Sequence, residues 1–308
     1  MLVKSLPRHL AELAKLHPAI YRQFCYSTAE GRVGDVTRVD PLSEEKYTVA
    51  RGLIHKYRTT ALVLLTLNCA AYCRFCTRRR LVSDVQRGII TERDLDKMII
   101  YIRKHPKINE VIISGGDPLT APDLLKTALT KLSRLPQIKI FRVGSRLPVS
   151  DPSQINDRVL SALRAVKNRP LYLMLHFEHP AEITSATVAA VKKLQSVSTM
   201  LLSQSVFLKG VNDNAAILEK LFNRLVEIGV KPYYLLRCDY TSGAGHFIVD
   251  IKKEIEIMTK LRARLSGLAC PMYVVDVLGG MGKIPVPLNF WNFDAGSYWD
   301  FKGERFAN

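Results

Sequence analysis

The sequence has few cysteines, no long hydrophobic segment and a shortage of acidic residues relative to basic ones. Six cysteines in 308 residues are too few for a disulfide-stabilised scaffold. The longest apolar run, Ala61–Leu67, is far shorter than the roughly 20 residues that span a membrane. Residues 1–20 lack the apolar core and the cleavage site of a signal peptide. We therefore expect a cytoplasmic protein with no membrane partner.

The composition is that of a folded, basic protein. It is 47% hydrophobic with 17 Gly and 15 Pro, which excludes the disordered and fibrous classes. The 45 Lys and Arg residues outnumber the 28 Asp and Glu residues, which gives a formal net charge of +17. These basic residues are spread along the chain, and no nucleic-acid reader motif or basic stretch interleaved with aromatic residues accompanies them. We therefore expect a solvated basic surface and no nucleic-acid partner.

Three of the cysteines lie within eight residues of one another, as Cys69, Cys73 and Cys76. In a reducing compartment, clustered thiols indicate a metal or redox site. Three thiolates can hold zinc, if a fourth ligand comes from elsewhere in the chain. They can also hold three corners of a four-iron cluster and leave one iron open to a small molecule.

From residue 61 onward, short apolar runs alternate with longer amphipathic segments. The runs predict strands at Ala61–Leu67, Val111–Ser114, Ile138–Val143, Leu171–Phe177, Met200–Phe207, Tyr233–Cys238 and Met272–Val277. The segments predict helices at Thr91–His105, Pro122–Leu135, Gln154–Val166, Ala181–Gln195, Asn212–Ile228 and Asp250–Leu265. Successive βα units predict an α/β fold with a parallel sheet, and the lack of a dinucleotide fingerprint favours a complete or partial TIM barrel.

The barrel is expected to occupy residues 61–286. A helical N-terminal extension is predicted for residues 1–60, with a helical segment at Leu6–Cys25 and a polar connector around Glu30–Glu45. Residues 287–308 are expected to form a C-terminal tail.

Polar and unusual residues collect where the predicted strands end, which is where βα barrels carry their chemistry. These residues are Cys69, Gly115, Gly116, Asp117, Ser145, Arg146, His176, His179, Gln204, Asp239, Asp276 and Lys283. Unrelated loops would not favour one end of the strands, so this placement indicates an enzyme.

The cysteine spacing after the first barrel strand resembles the signature of the radical S-adenosylmethionine (SAM) superfamily. Phe75, just before the last cysteine, and Gly115-Gly116-Asp117-Pro118 after the second strand strengthen this resemblance. The resemblance implies a partial (βα)6-type barrel and a [4Fe-4S] cluster held by Cys69, Cys73 and Cys76. It also implies that Gly115, Gly116 and Asp117 hold SAM, which that family cleaves to a 5′-deoxyadenosyl radical.

Further segments are similar to the lysine 2,3-aminomutase family, which uses pyridoxal phosphate (PLP) as well as SAM. They are the Leu65–Arg80 and Ser114–Leu119 regions, Leu175–Pro180, Gln204–Val206, Gly210–Asp213, Cys238-Asp239 with Gly245–Phe247, and Gly279–Pro285. By this resemblance Lys283 is the catalytic residue that forms the PLP Schiff base, Tyr57 and Gln204 contact PLP, and His176 lies near SAM.

The same resemblance assigns the substrate contacts. Arg78 would clamp the α-carboxylate, a task that suits its planar pair of donors. Asp239 and Asp276 would face the distal ammonium, because a desolvated cation is better satisfied by two carboxylates. The implied reaction moves the amino group of L-lysine from C2 to C3 to give β-lysine, with one electron supplied by a donor such as flavodoxin or ferredoxin.

The chain also departs from the family pattern. Thr60 stands where the family has an arginine near PLP, and Arg58 is the nearest substitute. Asn214 stands where the free-lysine enzymes have a zinc-binding cysteine, and no cysteine follows Cys270. We therefore expect no structural zinc, and a homo-oligomer, if it forms, to be held in another way.

Four other functions remain open at this point. A sister group that acts on a lysine side chain of elongation factor P shares these departures, although Arg78 and Asp276 favour the free-lysine enzymes. Arginine or another basic amino acid could replace lysine as substrate. A nucleic-acid-modifying radical enzyme would not need Lys283, and a non-catalytic iron–sulfur protein would not cleave SAM.

Overall fold

The computed structural model describes residues 6–31, 37–82, 90–280, 282–292 and 294–307. Parts of the predicted connector and Met281 of the glycine-rich loop therefore lie outside the described residues. The strands of the main sheet are β1 Thr48–Ala50, β2 Leu53–Tyr57, β3 Thr60–Thr66, β4 Glu110–Gly115, β5 Ile140–Ser145, β6 Leu171–His176, β7 Met200–Val206, β8 Val230–Leu236, β9 Met272–Asp276 and β10 Lys283–Pro285.

The longer helices between the barrel strands are amphipathic and cover the outside of this sheet. The helices of the described chain are α1 Arg8–Leu16, α2 Pro18–Phe24, α3 Arg79–Val82, α4 Glu92–Lys104, α5 Pro122–Leu132, α6 Leu147–Ser150, α7 Asp157–Leu163, α8 Ser185–Gln195, α9 Ala215–Glu227 and α10 Ile251–Arg264. Thr91 and Asp94 form the capping box that the sequence suggested at the start of α4. Asn214 caps α9 by accepting from the backbone amide of Ala216 at 2.8 Å.

The main sheet is a partial barrel, as expected. Strands β3 to β9 pair in parallel and in chain order, with β2 antiparallel to β3 and β10 antiparallel to β9. Among the described residues no ladder joins β1 to β10, so the barrel stays open between these two edges. Buried and less buried residues alternate along β4 and β5, because successive side chains point to the helices and to the barrel interior.

The N-terminal extension contains more than helices. Helices α1 and α2 pack through Leu10, Ile20 and Phe24 against the mouth of the barrel at Ala71. Strands β1 and β2 also precede residue 61, and they extend the barrel sheet. The apolar-run criterion did not detect them because they are short and partly exposed. The division of the chain at residues 60 and 286 stays a prediction.

Residues 37–42, here called the strap, cross the open side of the barrel mouth. The backbone of Arg38 bonds to Tyr240 and Ser242 in the loop after β8, and the amide of Gly279 after β9 donates to Pro41 at 3.0 Å. A separate sheet follows the barrel, formed by β11 Trp291–Asn292, β12 Ser297–Trp299 and β13 Arg305–Ala307. In the described parts of the chain, no helix is both long and apolar enough to cross a membrane.

Candidate active site

One cavity of about 370 Å³ opens at the C-terminal ends of the parallel strands. All thirteen residues predicted for the site line it, although they come from distant parts of the sequence. They are Tyr57, Cys69, Cys73, Cys76, Arg78, Gly115, Gly116, Asp117, His176, Gln204, Asp239, Asp276 and Lys283. The topology brings most of them together because parallel strands end at the same rim, whereas Tyr57 lies on antiparallel β2 and pairs with Thr60 at the start of β3.

The three cysteines occupy the loop between β3 and α3. Burial raises the pKa of the Cys73 thiol, and it raises the pKa of Cys76 to about 11. Among the described residues, no three His, Cys, Asp or Glu side chains are arranged to hold a single metal ion. The three thiols line one cavity, and thiolates are the usual ligands of a four-iron cluster. This donor set therefore fits that cluster.

Glycine is required at Gly115 and Gly116 because the chain segment at the end of β3 passes close to the end of β4. A Cβ on Gly115 would lie 2.2 Å from the carbonyl oxygen of Thr66, and Gly115 also has a φ of +124°. A Cβ on Gly116 would lie 2.2 Å from the carbonyl oxygen of Asn68, next to the first cysteine. The two glycines thus bring the cysteine loop against the end of β4.

Asp117 is buried, and its carboxylate connects the ends of neighbouring strands. It accepts from the amide of Leu119 at 3.1 Å, the hydroxyl of Ser145 at 3.0 Å and the amide of Arg146 at 2.7 Å. Burial raises the pKa of Asp117, and these three donors oppose that rise. The structure therefore gives Asp117 a positioning role, while its contact with SAM stays a prediction.

His176 and Gln204 lie side by side, because they pair in register at the ends of β6 and β7. The Nδ1 of His176 is 3.6 Å from Oε1 of Glu178, which is fully buried. This separation is longer than a hydrogen bond, and Oε1 of Glu178 accepts none within the described structure.

Arg78 is held by an acidic residue that the sequence did not reveal as part of the site. Its Nε donates to Glu44 Oε2 at 2.9 Å, its Nη2 donates to Glu44 Oε1 at 2.6 Å, and its Nη1 donates to Ser114 Oγ at 3.2 Å. Burial opposes ionisation of Glu44, but Arg78 holds its pKa below the ordinary value. Glu44 thus fixes the guanidinium with Nη1 directed toward the β4 side of the cavity.

Arg79 and Arg80, which form a run of three arginines with Arg78, also have acidic partners before β1. Arg79 Nη2 lies 2.6 Å from Glu30 Oε2, and Arg80 pairs with Asp40 and Glu45, each at 3.1 Å. The predicted polar connector therefore supplies counter-charges to this run and ties the strap to the cysteine loop.

Two lysines and two aspartates form a second charged group in the lining of the cavity. Lys283 Nζ donates to Asp276 Oδ2, and Lys56 Nζ lies 4.0 Å from Asp276 Oδ1. Oδ1 is buried and accepts no hydrogen bond within the described structure. Burial and the charge of Asp276 raise the pKa of Asp239 to about 7. This part of the cavity lining therefore offers acceptor capacity for a further cation.

The glycine-rich loop before Lys283 leaves room for a bulky group. Gly279 and Gly282 have positive φ, and a Cβ on either would meet nothing within 4 Å. A Cβ on Gly280 would instead lie 2.3 Å from the carbonyl oxygen of Leu42, so this glycine allows the loop to pack on the strap. A reactive amine beside open space, in a cavity that Tyr57 also lines, fits a PLP site.

Lys56, like Glu44, was missed at the sequence level. It shares the cavity-facing side of β2 with Ile54, a relation that is visible only once β2 is known to be a strand. Arg58 is exposed and lies outside the lining, whereas Thr60 lines the cavity and donates to Glu110 at 2.8 Å. The basic group near the expected PLP position is therefore Lys56 rather than Arg58.

Comparisons with known proteins agree with this geometry. The sequence profile of the radical SAM superfamily matches residues 63–220. The L-lysine 2,3-aminomutase of Methanococcus maripaludis is 39% identical over 279 residues, which is 89% of this chain and 64% of the archaeal protein. That of Clostridium subterminale is 41% identical over 82% of this chain and 60% of its own length.

Two further matches extend this result. A putative L-lysine 2,3-aminomutase of Aquifex aeolicus is 42% identical over 82% of this chain and 69% of its own length. The chain thus spans only 60–69% of these three relatives. A radical SAM methyltransferase from Sphaerobacter thermophilus shares the fold, with a TM-score of 0.53 and 16% identity over 73% of this chain and 68% of its own.

Proposed function

Because this chain belongs to the radical SAM superfamily and, within it, to the lysine 2,3-aminomutase family, we propose that it moves the amino group of L-lysine from C2 to C3 to give β-lysine. The observation that carries this proposal is the charge layout of the cavity. Arg78 lines the cavity two residues after Cys76, and Asp239 and Asp276 line it beside Lys283. An amino acid with a cationic end fits between them.

Members of this family use a [4Fe-4S] cluster, SAM and PLP, and the cavity offers a place for each. Cys69, Cys73 and Cys76 would hold the cluster, the backbone at Gly115 and Gly116 would hold SAM, and Lys283 would hold PLP. When bound, the cluster and SAM supply a hydrogen-abstracting radical, and PLP supplies the electronic route by which nitrogen moves between carbons.

Arg78 would orient the substrate through its α-carboxylate. Glu44 occupies Nε and Nη2, so Nη1 is the donor best placed for an incoming carboxylate. A fixed guanidinium loses little freedom on binding, which favours one orientation of the reacting carbons.

Asp276 would bind two cations in turn. Its carboxylate holds the ammonium of Lys283 in the absence of ligands, and the buried Oδ1 offers a second acceptor to the substrate ammonium. Asp239 would complete the acidic pair. A distal carboxylate would be repelled there, so glutamate is a poor substrate.

An anaerobic assay tests the reaction. Reconstituted protein is supplied with dithionite, SAM, PLP and free L-lysine, and β-lysine is measured by mass spectrometry. We expect β-lysine together with reversible use of SAM. If 5′-deoxyadenosine forms without β-lysine, free lysine is not the substrate, and the lysine side chain of elongation factor P is the next substrate to assay.

The assignment of Lys283 has its own test. Lys283→Ala should abolish the absorbance of attached PLP and leave the iron content unchanged, because Lys283 is not among the three cysteines that would hold the cluster. Lys302→Ala, which changes an exposed lysine of the C-terminal sheet, should retain both. Full activity of Lys283→Ala would refute the assignment.

The remaining partners are proposed on chemical grounds. Reduction of the cluster needs one electron, which a flavodoxin or a ferredoxin would supply. A cytoplasmic location and a homo-oligomer without structural zinc stay predictions.

A further inference from the structure

A buried arginine touches the sulfur of one predicted cluster ligand. Arg146, the first residue after β5, directs Nη1 to Sγ of Cys73 at 2.8 Å. Only 8% of Arg146 is exposed, although an arginine is seldom buried without a reason. The proposed function assigns this side chain no role.

The position of the guanidinium is fixed independently of Cys73. Nη2 donates to Gln23 of α2 and, at 3.1 Å, to Glu182 in the loop after β6. Gln23 in turn donates to Glu182 at 2.9 Å, so both acceptors are themselves held.

Two aromatic rings and the backbone complete this restraint. The guanidinium carbon lies 4.5 Å from the centroid of Phe24 and 5.5 Å from that of Phe75. The amide of Arg146 is anchored to Asp117 at 2.7 Å. Nη1 is therefore aimed at the sulfur by contacts that would persist when the sulfur binds iron.

The surrounding charges are consistent with a cation placed for an anionic sulfur. Glu178 and Glu182 are both fully buried near Arg146. A buried arginine needs an acidic partner, and Glu182 already provides one. Nη1, the donor that faces Cys73, is therefore available to a thiolate.

We propose that Arg146 is a positioning residue that donates an N–H···S hydrogen bond to the Cys73 thiolate of the iron–sulfur cluster and thereby raises the reduction potential of the cluster. The reduced cluster carries one more negative charge than the oxidised one, and a donor at a ligand sulfur stabilises the more negative state. The inference rests on the cluster of the proposed function, but not on the substrate.

The first test measures the cluster potential by an EPR-monitored redox titration with dithionite in the absence of SAM. Arg146→Lys and Arg146→Gln should each make reduction harder, by a factor of about ten in the equilibrium constant, or 59 mV for one electron. Arg237→Lys is the matched control, because Arg237 is also buried and pairs with Glu254 at 2.6 Å but does not line the cavity. Its cluster should keep the wild-type potential.

Equal potentials in the wild type and both Arg146 variants, with iron content intact, would overturn the inference. A wild-type protein that binds no iron would instead contradict the proposed function, so the two failures are distinguishable.

A second test uses only the wild-type protein and is unaffected by misfolding of a variant. Arginine labelled with ¹⁵N at the guanidinium nitrogens alone is incorporated, and the reduced cluster is examined by pulsed EPR without SAM. A ¹⁵N coupling is expected, because the donor nitrogen is bonded through hydrogen to a cluster sulfur. No coupling, or a coupling that appears only after SAM is added, would show that the guanidinium does not bind the sulfur.

Discussion

The ionisation of Asp239 is set by its surroundings more than by its own chemistry. Burial and the neighbouring charge of Asp276 raise its pKa from 3.8 to about 7, although Lys283 and Lys56 partly offset the effect. A carboxylate in this position is suited to accept a cation, because an incoming ammonium relieves the cost of ionising it.

This raised pKa predicts a pH-dependent cost to stability. A group whose pKa is higher in the folded state stabilises the fold at low pH, and that contribution is lost as pH rises toward the folded pKa. The stability of Asp239→Asn relative to that of the wild type should therefore increase as the pH rises from 5 to 7. It should not increase further above pH 8. Melting temperatures of the ligand-free proteins measure this.

The control is Asp96→Asn, which changes an exposed carboxylate on α4 that pairs with Lys131. The difference in melting temperature between this variant and the wild type should vary much less over the same pH range. A gain for Asp239→Asn that does not depend on pH would contradict the pKa assignment.

Sequence motifs and the family resemblance predicted residues that the structure brings into one cavity, but not the groups that hold them. Cys69 and Lys283 were predictable because their sequence context is specific. Glu44 was not predictable, and Arg146 was placed at a strand end without its contact to Cys73, because only the folded contacts show which charged residue reaches which group. Their roles depend on contacts between residues that are far apart in the sequence, and the sequence alone does not show these contacts.

At the scale of elements, the end of β4 and the loop after β3 form one unit. Backbone bonds join them, from Gly116 to Thr66 and from Asp117 to Asn68. The cysteine loop therefore depends on the absence of side chains at the glycines.

Gly116→Ala should displace this loop, because the new Cβ would overlap the Asn68 carbonyl, which belongs to the backbone. We expect a loss of about 1–3 kcal/mol in the free energy of unfolding and reduced retention of iron. Gly267→Ala is the control, since its Cβ would meet nothing within 4 Å. Denaturant unfolding and iron analysis measure the two effects, and wild-type values for Gly116→Ala would show that the contact can relax.

Long apolar strands were predictable, and short edge strands were not. Strands β3 to β9 are mostly buried, so their hydrophobic runs located them to within about three residues. Strand β10 consists of exposed residues and ends in Pro285, and neither feature resembles a buried strand. The same difficulty concealed β2 and, with it, the position of Lys56.

For the whole molecule, the open side of the barrel is spanned by side chains and by the strap instead of a strand ladder. Lys56 on β2 approaches Asp276 on β9, and the strap bonds to the loops after β8 and β9. Ligands that occupy the cavity would contact both sides of this opening.

Hydrogen exchange should detect that coupling. The amides of β10 and of the strap should exchange faster than those of β4 to β7 in the ligand-free protein, because edges open locally at low cost. Adding PLP and lysine should slow exchange on both sides of the opening and leave α5 unchanged. Protection confined to β3 and β4 would contradict a ligand that bridges the two edges.

The open side also determines how the entrance of the cavity could be widened by protein engineering. In a closed barrel, a wider entrance requires the loss of ladder hydrogen bonds between neighbouring strands. Here the aperture between β1 and β10 is set by the strap and by a few charged side chains. Its width is therefore adjustable without altering the parallel strands that precede the cysteine loop and the other site residues. Substitutions in residues 37–42 are the simplest change that would admit larger substrates.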